Sequence, residues 1–179
     1  MRWLADGGLI GTDFLARNIT PERRAKTLEG EKNGQLWEWH NATGWKPVPG
    51  TDASAANGLE ISEDGKWFYV AAWGSQSFFR VSRGQTPPKR DDIPLGFRVD
   101  NIRWAKDGSL LATGQGGATP ATQEWVVVKI DPKTLKVTEL MRRPNTDAFG
   151  GGTVAIEVGK DLWIGSFRGN RIGIFPVAK

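Results

Sequence analysis

Cysteine is absent from this 179-residue chain, and histidine and tyrosine occur once each. Without cysteine there are no disulfides, no thiolate nucleophile and no cysteine-ligated zinc, and the redox compartment is left open. Long apolar runs are also missing. The longest, residues 67–73, falls far short of the roughly 18–20 residues of a membrane span. Residues 1–15 lack a basic region followed by an apolar stretch and a cleavage site, so no secretory leader is expected and the localisation is left open. Nor is there an excess of charge of one sign. The 24 basic and 20 acidic residues give +4, and they interleave, as in Pro21-Glu-Arg-Arg-Ala-Lys26. This describes a mixed solvated surface rather than a nucleic-acid-binding patch. No serine sits in a Gly-x-Ser-x-Gly pattern. The stretch Gly114-Gln-Gly-Gly-Ala118 is no phosphate loop, because no helical pattern comes after it and Pro120 interrupts the chain there.

With 39% hydrophobic and 25% charged residues, the composition is that of an ordinary folded chain of about one domain. Its main organising feature is a repeat. Asn57-Gly-Leu-Glu-Ile-Ser-Glu-Asp-Gly-Lys-Trp-Phe-Tyr-Val-Ala-Ala-Trp73 is the clearest copy, and Asp100-Asn-Ile-Arg-Trp-Ala-Lys-Asp-Gly-Ser-Leu-Leu-Ala-Thr-Gly114 is a second. Gly152–Gly165 is a third with an altered turn, and Trp3–Thr12 keeps the back half of the unit. Each reads as strand, tight turn, strand. Asp-Gly between apolar runs points to a type I′ hairpin, in which both central residues need positive φ. Copies at intervals of roughly 40–60 residues, with several short strands per unit, indicate an all-β partial propeller. Its blades span about 1–50, 51–97, 98–145 and 146–179 of a single domain. Residues 15–34 are polar and form either a long loop or a short helix near Thr20-Pro21-Glu22, where Thr at the N-cap and Pro after it would start a helix. The last blade lacks an outer strand and the first lacks most of its inner one. The chain is therefore expected to be a piece of a larger propeller, or to self-associate through open blade edges.

Loops leading into the inner strands of a propeller converge on its channel, which places Asn57, Asp100 and Asn101 where a ligand would sit. Oxygen donors of this kind suit a hard cation such as Ca²⁺, which takes about 6–8 oxygens. The same residues before a strand also close turns with their side chains. His40 lies on a third strand and is read as a surface or inter-blade residue. Tryptophans 37, 39, 67, 73, 104, 125 and 163 fall on or beside strands and are expected in the core between sheets.

The segments Ala56-Asn-Gly-Leu-Glu-Ile-Ser-Glu-Asp-Gly, Val99-Asp-Asn-Ile-Arg-Trp104 and Val154–Gly165 resemble the six-bladed calcium propellers of the senescence-marker/gluconolactonase and paraoxonase (arylesterase) superfamily. Strictosidine-synthase-like proteins share that fold. The resemblance implies hydrolysis of a small-molecule lactone or ester around a channel calcium ion. Carried over by position, Asn57, Asp100 and Asn101 would be metal ligands, and Asp100 would also activate water. The family's Glu ligand, a further Asn ligand and the paraoxonase histidine pair match nothing in this chain. A non-catalytic propeller binding or interaction module is the alternative reading.

Overall fold

The computed structural model describes residues 1–117 and 119–177; Ala118, at the end of the glycine-rich stretch, and the last two residues of the fourth blade span lie outside them. These residues form two compact units, Met1–Leu95 and Gly96–Lys179. Each unit holds two antiparallel meanders whose strands neighbour one another in chain order.

In the first unit, one sheet consists of β1 (Arg2–Trp3), β2 (Leu9–Asp13), β3 (Gln35–His40) and β4 (Gly44–Pro47). The second consists of β5 (Ala56–Ile61), β6 (Trp67–Ala72), β7 (Ser77–Ser82) and β8 (Arg90–Pro94). Between β2 and β3 lies the helix α1 (Pro21–Ala25), where Thr20 Oγ1 accepts a hydrogen bond from the Arg23 backbone N–H at 3.3 Å. The helical alternative for residues 15–34 therefore holds at α1, and the reason is the cap and the Pro preset at the first helical turn. The two sheets share a core of Leu4, Ile10 and Leu36 against Leu59, Phe68, Val70, Phe79 and Val81. Arg2 adds an ion pair to the buried Glu60 carboxylate.

In the second unit, one sheet is formed by β9 (Arg98–Trp104), β10 (Leu110–Gly116), β11 (Glu124–Ile130) and β12 (Val137–Pro144). The other has only three strands, β13 (Gly152–Val158), β14 (Asp161–Ser166) and β15 (Gly173–Pro176). The β-branched run Val126-Val-Val128 fills the centre of β11, as suits a strand buried on both faces. Ala105, Leu111, Trp125 and Val127 pack against Ala155, Leu162 and Ile164. Phe149 and Phe175 flank Trp125 at ring-centroid distances of 5.5 and 5.0 Å. Lys129 joins the two sheets by pairing with Asp107 at 2.9 Å and Glu157 at 3.2 Å.

Two expectations are corrected. The Asp-Gly turns are not type I′. Gly7, Gly65 and Gly108 have φ of 84°, 70° and 80°, but their aspartates are not among the residues with positive φ. In each turn the glycine N–H donates to the carbonyl three residues back, from Leu4, Ser62 and Ala105. Asp Oδ1 accepts from the backbone N–H two residues on, at 3.1–3.2 Å in all three copies. The result is a turn of three residues at Asp6 and Asp107 and of four at Asp64, holding a left-handed glycine and stapled by the aspartate side chain.

The tryptophans are the second correction. Of the seven expected there, only Trp125 belongs to the fully buried side chains; Trp104 is 37% exposed and the other five are half-buried. Trp3, Trp39 and Trp45 share a cross-strand row on the first sheet, on the side opposite the Ile10 and Leu36 core. Phe, Leu, Ile and Val fill the cores instead.

Candidate functional site

The three repeat copies have a common irregularity. In β5 the register shifts between Ala56 and Leu59, in β9 across Thr113/Gly114 of its partner, and in β13 between Gly152 and Val154. The extra residue of each bulge is supplied by Asn57-Gly58, by Asp100 and by Thr153, at the first two positions of the repeat. A bulge places two residues opposite one, bends its strand and re-aims a side chain, which is why bulges accumulate beside active sites. Asn57, Asp100 and Asn101 thus sit within strands, at their bulges, rather than in the preceding loops.

In the second unit the bulge holds a small polar network. Asp100 Oδ1 accepts from Asn101 Nδ2 at 2.8 Å, and Asp100 Oδ2 accepts from Gln115 Nε2 at 3.2 Å. The same Gln115 amide donates to the Gly152 carbonyl at 2.8 Å, linking β10 to the start of β13. Asp100, Asn101 and Gln115 are all half-buried. Thr113, opposite Asn101, is fully buried, and its hydroxyl has no hydrogen-bond partner among the described residues. Gly114 is required here. A Cβ at that position would lie 1.9 Å from the Arg98 carbonyl oxygen and 2.9 Å from Val99 Cα.

In the first unit Asn57 is half-buried on its own bulge. Ala55, two residues earlier, is buried with φ of 53°, in the left-handed region that a non-glycine residue occupies only under constraint. The constraint comes from the polar segment between β2 and β3. Asn33 Oδ1 accepts from the Ala55 N–H at 3.4 Å, Asn33 Nδ2 donates to Thr27 Oγ1 at 2.6 Å, and Ser54 Oγ donates to the Thr27 carbonyl at 2.7 Å.

Gln115, Thr113 and Asn33 were not recoverable from motif spelling. Gln115 and Asn33 act through partners far away in the chain, and only the register of β9 on β10 puts Thr113 beside the bulge.

Asp6, Glu38 and His40 also bring possible ligand atoms within 4.8 Å of one another. Arg83 occupies that cluster, reaching Asp6 at 2.6 Å and Glu38 at 2.7 Å, while His40 Nε2 lies 2.7 Å from Glu38. Burial opposes ionisation of Glu38, but the hydrogen bonds from Arg83 and His40 outweigh it and hold its carboxyl below the usual range. Arg83, its strongest partner, lowers Asp6 as well. A guanidinium that already satisfies both carboxylates makes this an ion network rather than a cation site.

No protein-family profile and no curated protein matches the chain. Solved structures do. A luciferin-regenerating enzyme superposes with a TM-score of 0.60 at 17% identity, over 92% of this chain and 52% of that one. A streptogramin B lyase gives 0.55 at 14% identity, over 78% of this chain and 44% of that one. A 6-phosphogluconolactonase candidate from Bacteroides fragilis gives 0.54 at 15% identity, over 80% of this chain and 44% of that one. The chain spans about half the length of these structures. At such identities the likeness shows the fold, an all-β partial propeller.

Proposed function

We propose that the chain carries part of the site of a calcium-dependent hydrolase of lactones or carboxylic esters. The observation that supports this reading most is the recurrence of a bulge near the start of the inner strand of each copy, bearing a side-chain oxygen each time: Asn57, Asp100 with Asn101, and Thr153. A carboxylate and side-chain amide oxygens are the donor type that hard cations select, so the residues fit calcium in kind. They supply fewer than its roughly 6–8 oxygens. Asp100 and Asn101 would hold the ion in the second unit. The same role for Asn57 rests on its repeat position, and Asn57→Ala tests it separately. When bound, calcium would supply electrophilic stabilisation of a carbonyl oxygen. Asp100 would take the proton of the attacking water as that water adds to the carbonyl carbon, and return it to the ring oxygen as the C–O bond of the lactone breaks, giving the hydroxy acid. Gln115 holds the carboxylate in place from the neighbouring strand. The structural neighbours include a luciferin-regenerating enzyme and a 6-phosphogluconolactonase candidate, and the second is named for lactone chemistry.

The test is turnover of neutral γ- and δ-lactones and of an aryl acetate by the full chain, with added calcium and with a chelator. Turnover that needs calcium and is lost on chelation is expected. Turnover indifferent to the chelator, or no turnover by a calcium-bound chain, overturns the reading.

A second reading has its own observation. Each unit leaves an apolar sheet face uncovered: Trp3 and Trp45, 75% and 45% exposed, in the first, and Ile156 and Ile174, 44% and 54% exposed, in the second. Bare apolar faces of this kind mark interaction surfaces. We propose that a second copy of the chain covers them, since both faces occur on every copy. Sedimentation at micromolar concentration should then give a mass above the 19.7 kDa of one chain, falling towards it in Trp3→Glu/Ile156→Glu. A monodisperse monomer rejects self-association.

A further inference from the structure

The loop from β12 to β13 and the loop from β14 to β15 enclose a cleft of about 440 Å³ whose lining includes Gln123, Asn145, Asp147, Arg168, Asn170 and Arg171. Its size is that of a small-molecule pocket. Both loops are held by their own hydrogen bonds. Asn145 Oδ1 accepts from the Gly151 N–H at 3.0 Å, and Ser166 Oγ accepts from the N–H groups of Arg168 and Gly169 at 3.0 and 2.9 Å.

Arg2, Arg23, Arg80, Arg83, Arg90 and Arg142 each hold a carboxylate. The cleft holds two of the arginines that make no ion pair among the described residues, Arg168 and Arg171, as Arg17, Arg24 and Arg143 make none elsewhere. Arg168 donates to Gln123 Oε1 at 3.3 Å and lies over the Phe167 ring, and Arg171 donates to Asn170 Oδ1 at 3.0 Å. Asp147 is the only carboxylate in the lining, so two guanidinium groups face one negative charge.

The cleft is connected to the candidate site. Gly150 lines it and gives its carbonyl to Ser166 Oγ, while two residues on the Gly152 carbonyl accepts from the Gln115 amide that also holds Asp100. We infer that this cleft is an anion subsite, in which Arg168 and Arg171 take a phosphate or carboxylate group carried by the substrate. Guanidinium forks match both groups, and amide side chains supply further donors. The substrate class is then an ester or lactone bearing a separate anionic group. That last step rests on the hydrolase reading, whereas the anion site stands without it.

The experiment titrates the full chain with inorganic phosphate and, separately, with acetate, monitoring backbone amide NMR shifts of residues 145–151 and 166–172. Saturable shifts in these loops are expected, with phosphate favoured if the group is a phosphate ester and acetate if it is a carboxylate. In Arg168→Ala/Arg171→Ala the affinity should fall at least tenfold, and in Asp100→Asn it should be unchanged. In turnover, the double variant should raise KM for a phosphorylated or carboxylated lactone about tenfold and leave KM for a neutral lactone as it was. Failure of the intact chain to bind either anion, or equal binding by the double variant, overturns the subsite. Arginine-dependent anion binding by a chain that turns over no lactone keeps the subsite and rejects the hydrolase reading.

Discussion

Asp100→Asn should cut calcium-dependent lactone turnover by on the order of 10²–10³-fold, the scale seen when one positioned electrostatic group is lost, and weaken calcium binding measurably. The substitution keeps the side-chain shape but removes the charge and replaces one acceptor oxygen with an N–H₂ donor. Both carboxylate oxygens of Asp100 accept from amide N–H₂ groups, those of Asn101 and Gln115. An asparagine at this position would therefore set donor against donor on one side. The fold should survive, because Asp100 is half-buried and both amides remain solvent-accessible enough to find water. Calorimetric calcium titration with thermal unfolding in parallel separates the outcomes. Unchanged turnover and affinity would remove Asp100 from the site. Gln115→Ala is the milder companion. It leaves the carboxylate in place but frees it from β10, so turnover should fall about tenfold, within the range lost when a supporting partner is removed, and recover in part with Gln115→Asn.

The second large effect concerns stability. Gly114→Ala should destabilise the chain by about 3 kcal/mol or more, as overpacking against rigid atoms does, and lower the melting temperature by roughly 10 °C for a chain of this size. The added methyl would meet the Arg98 carbonyl oxygen at 1.9 Å, the Arg98 carbonyl carbon at 2.7 Å and Val99 Cα at 2.9 Å. All three are backbone, so no side chain can swing away, and relief would require separating β9 from β10 at the bulge that presents Asp100. Gly108→Asn is the control. Nothing lies within 4 Å of a Cβ there, and asparagine tolerates the left-handed φ of 80°. A loss below about 1 kcal/mol is expected for it, measured by urea unfolding. Equal stability of Gly114→Ala and the parent chain would show that the bulge adapts freely.

Much of the fold could be read from the chain. The repeated Asp-Gly turns and apolar runs were enough for four antiparallel meanders and their order, because turn chemistry and strand periodicity are local. His40 lies on a third strand, Gln35–His40, as expected. Thr20-Pro21 marked α1 for the same reason. The turn type was misread because Asp-Gly serves two hairpin geometries, and the choice depends on how many residues the flanking strands leave unpaired.

Local sequence was sufficient for the strand pattern, the short helix and the polar residues Asn57, Asp100 and Asn101 at the first two positions of the repeat. How those residues are presented depends on contacts between distant segments. The bulges exist only through pairing between strands, and a one-residue shift in register decides whether a side chain points into the core or out of it. Gln115 became part of the candidate site because β10 carries it to both Asp100 and Gly152. Arg168 and Arg171 are brought together with Asn145 and Asp147 only by two loops that are far apart in sequence. The tryptophans show the same limit. Hydrophobicity placed them on strands, but which face of a sheet another sheet covers is set by packing, and that left Trp104 exposed while Trp125 became the centre of a core.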